Sequence, residues 1–178
     1  MSSLAEFHDQ YESLIVAACE WRAMHADPER LAARVFGLLA TQPGPPSLRA
    51  AYQTLDKVVF DSYLEESAGT SIMSRLKGEQ KAVPNAPTDT AEEKKLRDAV
   101  ARLRRRDRDL LQRAYWDELS ENELAEIEGT DVRTVVERRE QALHNYRKVV
   151  ARLSPTTDAA LISKLFRSIK PGLRTRWE

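Results

Sequence analysis

The chain has 178 residues with 28 Lys plus Arg against 28 Asp plus Glu, which excludes a uniformly basic nucleic-acid coat but not a local patch. With 42% apolar and 31% charged residues, six Gly and eight Pro, it has the composition of a soluble helical protein, neither disordered nor collagen-like. The single cysteine, Cys19, excludes an internal disulfide and fits a reducing cytosol; with no bilayer-length apolar run and no signal-peptide pattern, the expectation is a cytoplasmic protein.

Ser3 followed by Glu6 is a capping box that opens a first helix, and Phe7, Tyr11, Leu14, Ala18 and Trp21 recur along it at steps of three and four. Asp27-Pro28 starts a second helix sharply, because aspartate caps free amides and proline tolerates the first helical position. Its buried face is Leu31, Val35, Leu38 and Leu39. The Pro43-Gly44-Pro45-Pro46 run breaks the chain. Ser47 caps a third helix carrying Ala51, Leu55, Val58, Val59 and Ser62, expected to end near Tyr63, with a short separate piece around Ile72, Met73 and Leu76.

From about Gly78 to Thr90 the sequence is proline-containing, poor in apolar residues and without helical period, the composition of a flexible linker. Beyond it, Leu96, Val100 and Leu103 mark one helix, and Leu110, Leu111, Ala114 and Tyr115 mark the next. Ser120 with Glu123 is a second capping box, followed by Leu124, Ala125 and Ile127. Gly129 stops that helix, since glycine accepts a left-handed C-terminal conformation. Asp131 caps a last long helix with Val132, Val135, Ala142, Leu143, Tyr146 and Val149 inward. A short capped helix, a glycine turn and a longer helix is the helix-turn-helix plan.

The expected fold is therefore all-α: two small helical modules, residues 1–78 and 96–153, joined by a linker at 79–95, the second a helix-turn-helix. A C-terminal extension, 154–178, follows. The first module holds 7 basic and 10 acidic residues and the extension 5 and 2, an asymmetry that suggests different partners for the two ends. In the extension Leu161, Ile162, Leu165, Phe166 and Ile169 form an apolar stripe opposite Lys164, Arg167 and Lys170. It reads as a helix packed on a module, a DNA or polymerase contact, or a membrane-surface element, the first being the commonest use of such a stripe.

Residues 96–143 resemble the fourth region of bacterial RNA polymerase sigma factors of the small extracytoplasmic-function type. The resemblance rests on Arg106-Asp107-Arg108, Tyr115-Trp116, Leu119-Ser120, Leu124-Ala125-Glu126-Ile127, Gly129, Thr134-Val135 and Arg138, in order over nearly fifty residues. In the front, Asp27 to Phe36 looks like the capped helix of the family's second region, and Phe7 to Tyr11 like its opening helix. The resemblance implies an alternative sigma factor whose partners are core RNA polymerase and promoter DNA, with Asp27, Glu29, Arg30 and Arg34 on the polymerase-docking face. It implies that the helix from Asp131 reads the upstream promoter element. With its apolar positions inward, Arg133, Thr134, Glu137, Arg138 and Gln141 lie on or beside its outer face, where Arg can pair with guanine edges and Gln with adenine. Arg106 and Arg108, with Arg102, Arg104 and Arg105, are positioned for sequence-blind phosphate contacts; a solvated helix junction balanced by Asp107 and Asp109 is the plainer reading of that run.

Two departures from the family pattern bear on function. Glu137 and Glu140 place negative charge beside the presumed DNA face, and Arg30 and Arg34 stand where the docking helix normally keeps acids. A phosphate could restore negative charge there, with Thr41, Ser47 and Thr54 as candidates for a Ser/Thr kinase; their plainer role is capping and turn formation. The alternative function is a sigma-like interaction protein that binds an anti-sigma factor or polymerase without initiating transcription. An ordinary dimeric repressor is a third reading. No catalytic motif is recognisable, His8, His25 and His144 lack metal-ligand spacing, and no enzyme activity, cofactor or metal site is expected.

Overall fold

The computed structural model describes residues 3–23, 26–77 and 91–153. Among the described residues the chain is all-α, with seven helices: α1 (Leu4–Arg22), α2 (Pro28–Ala40), α3 (Leu48–Lys77), α4 (Ala91–Ala101), α5 (Arg105–Tyr115), α6 (Glu121–Glu128) and α7 (Val132–Leu153). The capping signals act as the sequence predicts. Ser3 accepts from the Glu6 amide while Glu6 reaches back, and Ser120 does the same with Glu123. Asp27 accepts from the amides of Glu29 and Arg30 at the start of α2.

Two boundaries differ from the sequence expectation. α3 is one continuous helix of 30 residues, not a helix ending near Tyr63 with a separate short piece after it. The segment from Leu64 to Lys77 contains neither proline nor a glycine pair, so nothing in it terminates the hydrogen-bond ladder. At the other end, α4 begins at Ala91, so its first five residues fall in the stretch assigned to the linker; residues 78–90 and the extension from 154 onward lie outside the described residues.

Burial is organised in two clusters. The larger joins α1, α2 and α3 through Phe7, Ile15, Val35, Tyr52, Leu55 and Val58, and the same cluster includes Leu110, Leu119, Leu124, Ile127 and Val135 from α5 to α7. The smaller gathers Leu96, Val100, Leu103, Leu111, Leu143, Tyr146 and Val150 from α4, the α4–α5 junction, α5 and α7. The front helices and the α5–α7 unit thus share one apolar core. α6 shows why: eight residues cannot hold a helix in water, and Leu124, fully buried between α3 and α7, fixes it there by packing. Complete burial of such a side chain contributes about 1.5–3 kcal/mol.

No described helix is long and apolar enough to cross a membrane.

Candidate nucleic-acid interface

α6, the turn at Gly129 and the start of α7 form the unit on which the predicted DNA-reading residues sit. Gly129 ends α6 at φ 66°, ψ 41°, its amide donating to the carbonyls of Ala125 and Glu126. That left-handed conformation suits glycine, and the guanidinium of the exposed Arg49 lies close against it. A Cβ on Gly129 would collide with the guanidinium of Arg49, whose Cζ would lie at 3.1 Å. Asp131 then caps α7 through the Thr134 amide at 2.9 Å and the Thr134 hydroxyl at 2.6 Å. Those bonds to Thr134 favour the charged form and hold the Asp131 carboxyl below its ordinary range.

With Val135, Ala142, Leu143 and Tyr146 buried, the opposite side of α7 faces solvent. Arg133, Glu137, Arg138 and Gln141 are exposed, and Thr134 is half-buried beside its cap. The Arg133 Nε donates to Glu137 Oε1 at 3.0 Å one turn on, so that pair offsets its own charge. Arg139 turns sideways to pair with Glu121 of α6 at 3.0 Å. Gln141 donates from Nε2 to Asn145 Oδ1 at 3.2 Å.

The arginine run divides. Arg102, Arg104, Arg105 and Arg106 are exposed. Arg108, expected to contact phosphate, is 7% exposed and donates to the Ala101 carbonyl at 3.4 Å. It faces the α4–α5 junction because it stands three and four residues before the buried Leu111 and Gln112, on the inward side of α5, so it is not presented to a phosphate backbone.

The expected polymerase face is open. Glu29, Arg30 and Arg34 are exposed on α2, while Asp27 is exposed and committed to its cap. Arg34 is already paired, at 3.3 Å with Glu65 and 3.9 Å with Asp61 on α3. The charge of Arg34 is therefore met within the chain by acids on α3. Among the candidate phosphorylation sites, Thr41 is exposed with its hydroxyl donating to the Leu38 carbonyl, and Ser47 caps α3 by accepting from the Ala50 amide. Thr54 is 5% exposed and accepts from Gln42 Nε2; packed inside the α2–α3 contact, it is not accessible to a kinase, which removes it from the candidates.

A polar joint missed by the sequence reading connects the two halves. Arg22, 2% exposed at the end of α1, makes a bidentate pair with Asp117, 4% exposed in the α5–α6 turn, at 2.8 and 2.7 Å. The Trp21 indole donates to the same carboxylate at 2.6 Å, and Trp21 meets Trp116 edge-to-face with centroids 5.2 Å apart. Burial works most strongly against the Arg22 cation, but the charge and hydrogen bonds of Asp117, joined by Tyr52 and Asp56, together outweigh it and raise the guanidinium above its ordinary value, so it stays protonated. Two further links lie alongside: Arg113 reaches Asp56 of α3 at 3.7 Å, and Glu126 of α6 accepts from the Leu48 amide at 2.8 Å, capping α3 from outside. Only one local signal pointed here: Arg22 follows Ala18 by four residues, so it continues the apolar stripe of α1.

Comparison with known proteins finds no matching family model, no matching curated protein and no matching solved structure.

Proposed function

We propose that this chain is a promoter-recognition factor of the sigma type, acting with a bacterial core RNA polymerase, and that the N-terminal half of α7 reads DNA in the major groove. The observation that carries the reading is the arrangement of α6, Gly129 and α7: a short capped helix, a left-handed glycine, and a longer helix whose outer side is solvent-exposed and polar. In such motifs the first helix crosses the backbone and the first residues of the second reach base edges. Arg138 and Gln141 are the bidentate readers in this assignment, suited to guanine and adenine. Arg133 is coupled to Glu137, which sets it toward phosphate or, through the glutamate, a cytosine amino group. The exposed side of α2 is the polymerase-docking face in this reading, resting on the likeness of Asp27 to Phe36 to the family's second region.

The sigma-like interaction protein is supported by one observation, the self-neutralised Arg133–Glu137 pair on the outer side of α7, which weakens a DNA contact. The two readings separate in a gel shift of the purified chain with DNA from upstream of its own gene, with and without core polymerase. A sigma factor gives a specific shift that requires both proteins. A repressor shifts that DNA in preference to a scrambled duplex without polymerase, and an interaction protein binds polymerase without a DNA shift; either result overturns the proposal.

A further inference from the structure

Along α7, Thr134, Arg138, Gln141, Asn145, Lys148 and Arg152 succeed one another at steps of three and four, so they form one stripe. It is about 27 Å long at the helical rise, whereas the major groove is only about 12 Å wide. A helix entering that groove by its N-terminal half leaves the other half outside, where the flanking sugar-phosphate strand passes. In this protein that other half is built into a groove. The α4–α5 junction lies across from it, and together they enclose a cavity of about 480 Å³ lined by Arg102 and Arg104 on one side and by Gln141, Asn145, Lys148 and Arg152 on the other.

We propose that this groove binds the phosphodiester backbone of duplex DNA beside the bases read by the N-terminal half of α7; the proposal rests on the DNA-reading assignment above and extends it to a second, sequence-blind contact. Four exposed cations line it against one carboxylate, Asp107. That carboxylate accepts from Asn145 Nδ2 at 2.8 Å, and Asn145 in turn accepts from Gln141. Asp107 is thus engaged in tying α5 to α7, and the amide chain Gln141–Asn145 connects the base-reading end of the stripe to the groove. Lys148 and Arg152 succeed one another along α7 on one side and Arg102 and Arg104 line the other, a distribution that suits a repeating phosphate chain. Arg152 also sits in the last turn of α7, where a cation is favourable to the helix itself, so the test needs a readout that helix stability does not move.

That readout is the salt dependence of binding. The full chain is titrated against a fluorescent duplex of random sequence at several salt concentrations, and then, with core polymerase, against promoter and scrambled duplexes. Each lost phosphate contact lowers the slope of log affinity against log salt by about 0.9. The double change Lys148→Gln with Arg152→Gln is expected to lower it by about 2, and Arg102→Gln with Arg104→Gln by a similar amount. Lys148→Arg keeps the wild-type slope. With polymerase, the groove variants weaken promoter and scrambled DNA by the same factor. Wild-type slopes in both double variants, or no binding of the free chain to any duplex at low salt, overturn the groove assignment. A reduced slope in the variants with no promoter preference in the presence of polymerase leaves the groove standing and overturns the promoter-reading assignment instead.

Discussion

Arg22 and Asp117 are separated by 95 residues in sequence and joined by two short hydrogen bonds in a nearly water-free setting. A buried ion pair of this kind gains little over a well-packed apolar pair, because both ions lose their hydration. Removing one partner is costly, because the survivor stays buried and charged. Arg22→Met or Asp117→Ala alone is predicted to destabilise the chain by about 3–5 kcal/mol, while Arg22→Met combined with Asp117→Leu recovers much of that loss. Urea unfolding of the three variants checks this; equal losses in the single and double variants would contradict it. The neighbouring Cys19 thiol feels the same environment. Burial pushes it up to about 12, against the lowering effect of the Arg22 charge and with a smaller push from Asp117, the behaviour of a small apolar residue.

Among the elements, the α6–Gly129–α7 unit was the most legible part of the sequence. Its signals are local: a serine oxygen three residues before a glutamate, a glycine at the helix end, an aspartate ahead of the next helix. Each acts within one turn of its own position, so sequence suffices to place it. The third helix runs past its expected end near Tyr63 because the apolar stripe stops there, whereas helix propagation needs only the absence of a breaker. Thr54 and Arg108 were misplaced for a related reason: a polar residue on a helix reads as exposed until the neighbouring element that covers it is known. The contact of Gly129 with Arg49 belongs to that second category too, since α3 and the α6–α7 turn are far apart in the chain. Gly129→Ala is predicted to cost about 1–2 kcal/mol from the left-handed backbone, the exposed Arg49 side chain being free to swing aside. Thermal unfolding beside an exposed helical control such as Ala40→Gly measures it, and a loss below that of the control would contradict the geometry. The Asp131 cap has a direction with pH as well. Because its carboxyl is held low in the folded chain, the cap stabilises α7 above the usual carboxylate range and is lost as pH falls through the depressed value.

At the scale of the whole molecule, the front helices lean on α5 and α6 through a shared apolar cluster, the Trp21–Trp116 contact and the Arg22–Asp117 pair. The outer side of α7 is left exposed by this packing, and so is the outer side of α2, on the other half of the chain. Composition alone divides the chain at the proline-containing stretch and reveals none of this joint, since its parts are single residues far apart: a tryptophan, an arginine, an aspartate in a turn. In the proposed function the two exposed faces act at once, α2 on polymerase and α7 on the promoter, and the joint between them sets their separation. The measurement that tests this most directly is run-off transcription with purified core polymerase, the chain, and a template carrying DNA from upstream of its own gene. The account predicts a transcript of defined length that requires the chain and is lost in Arg138→Ala together with Gln141→Ala. No chain-dependent transcript, from a chain shown to bind the polymerase, would contradict it.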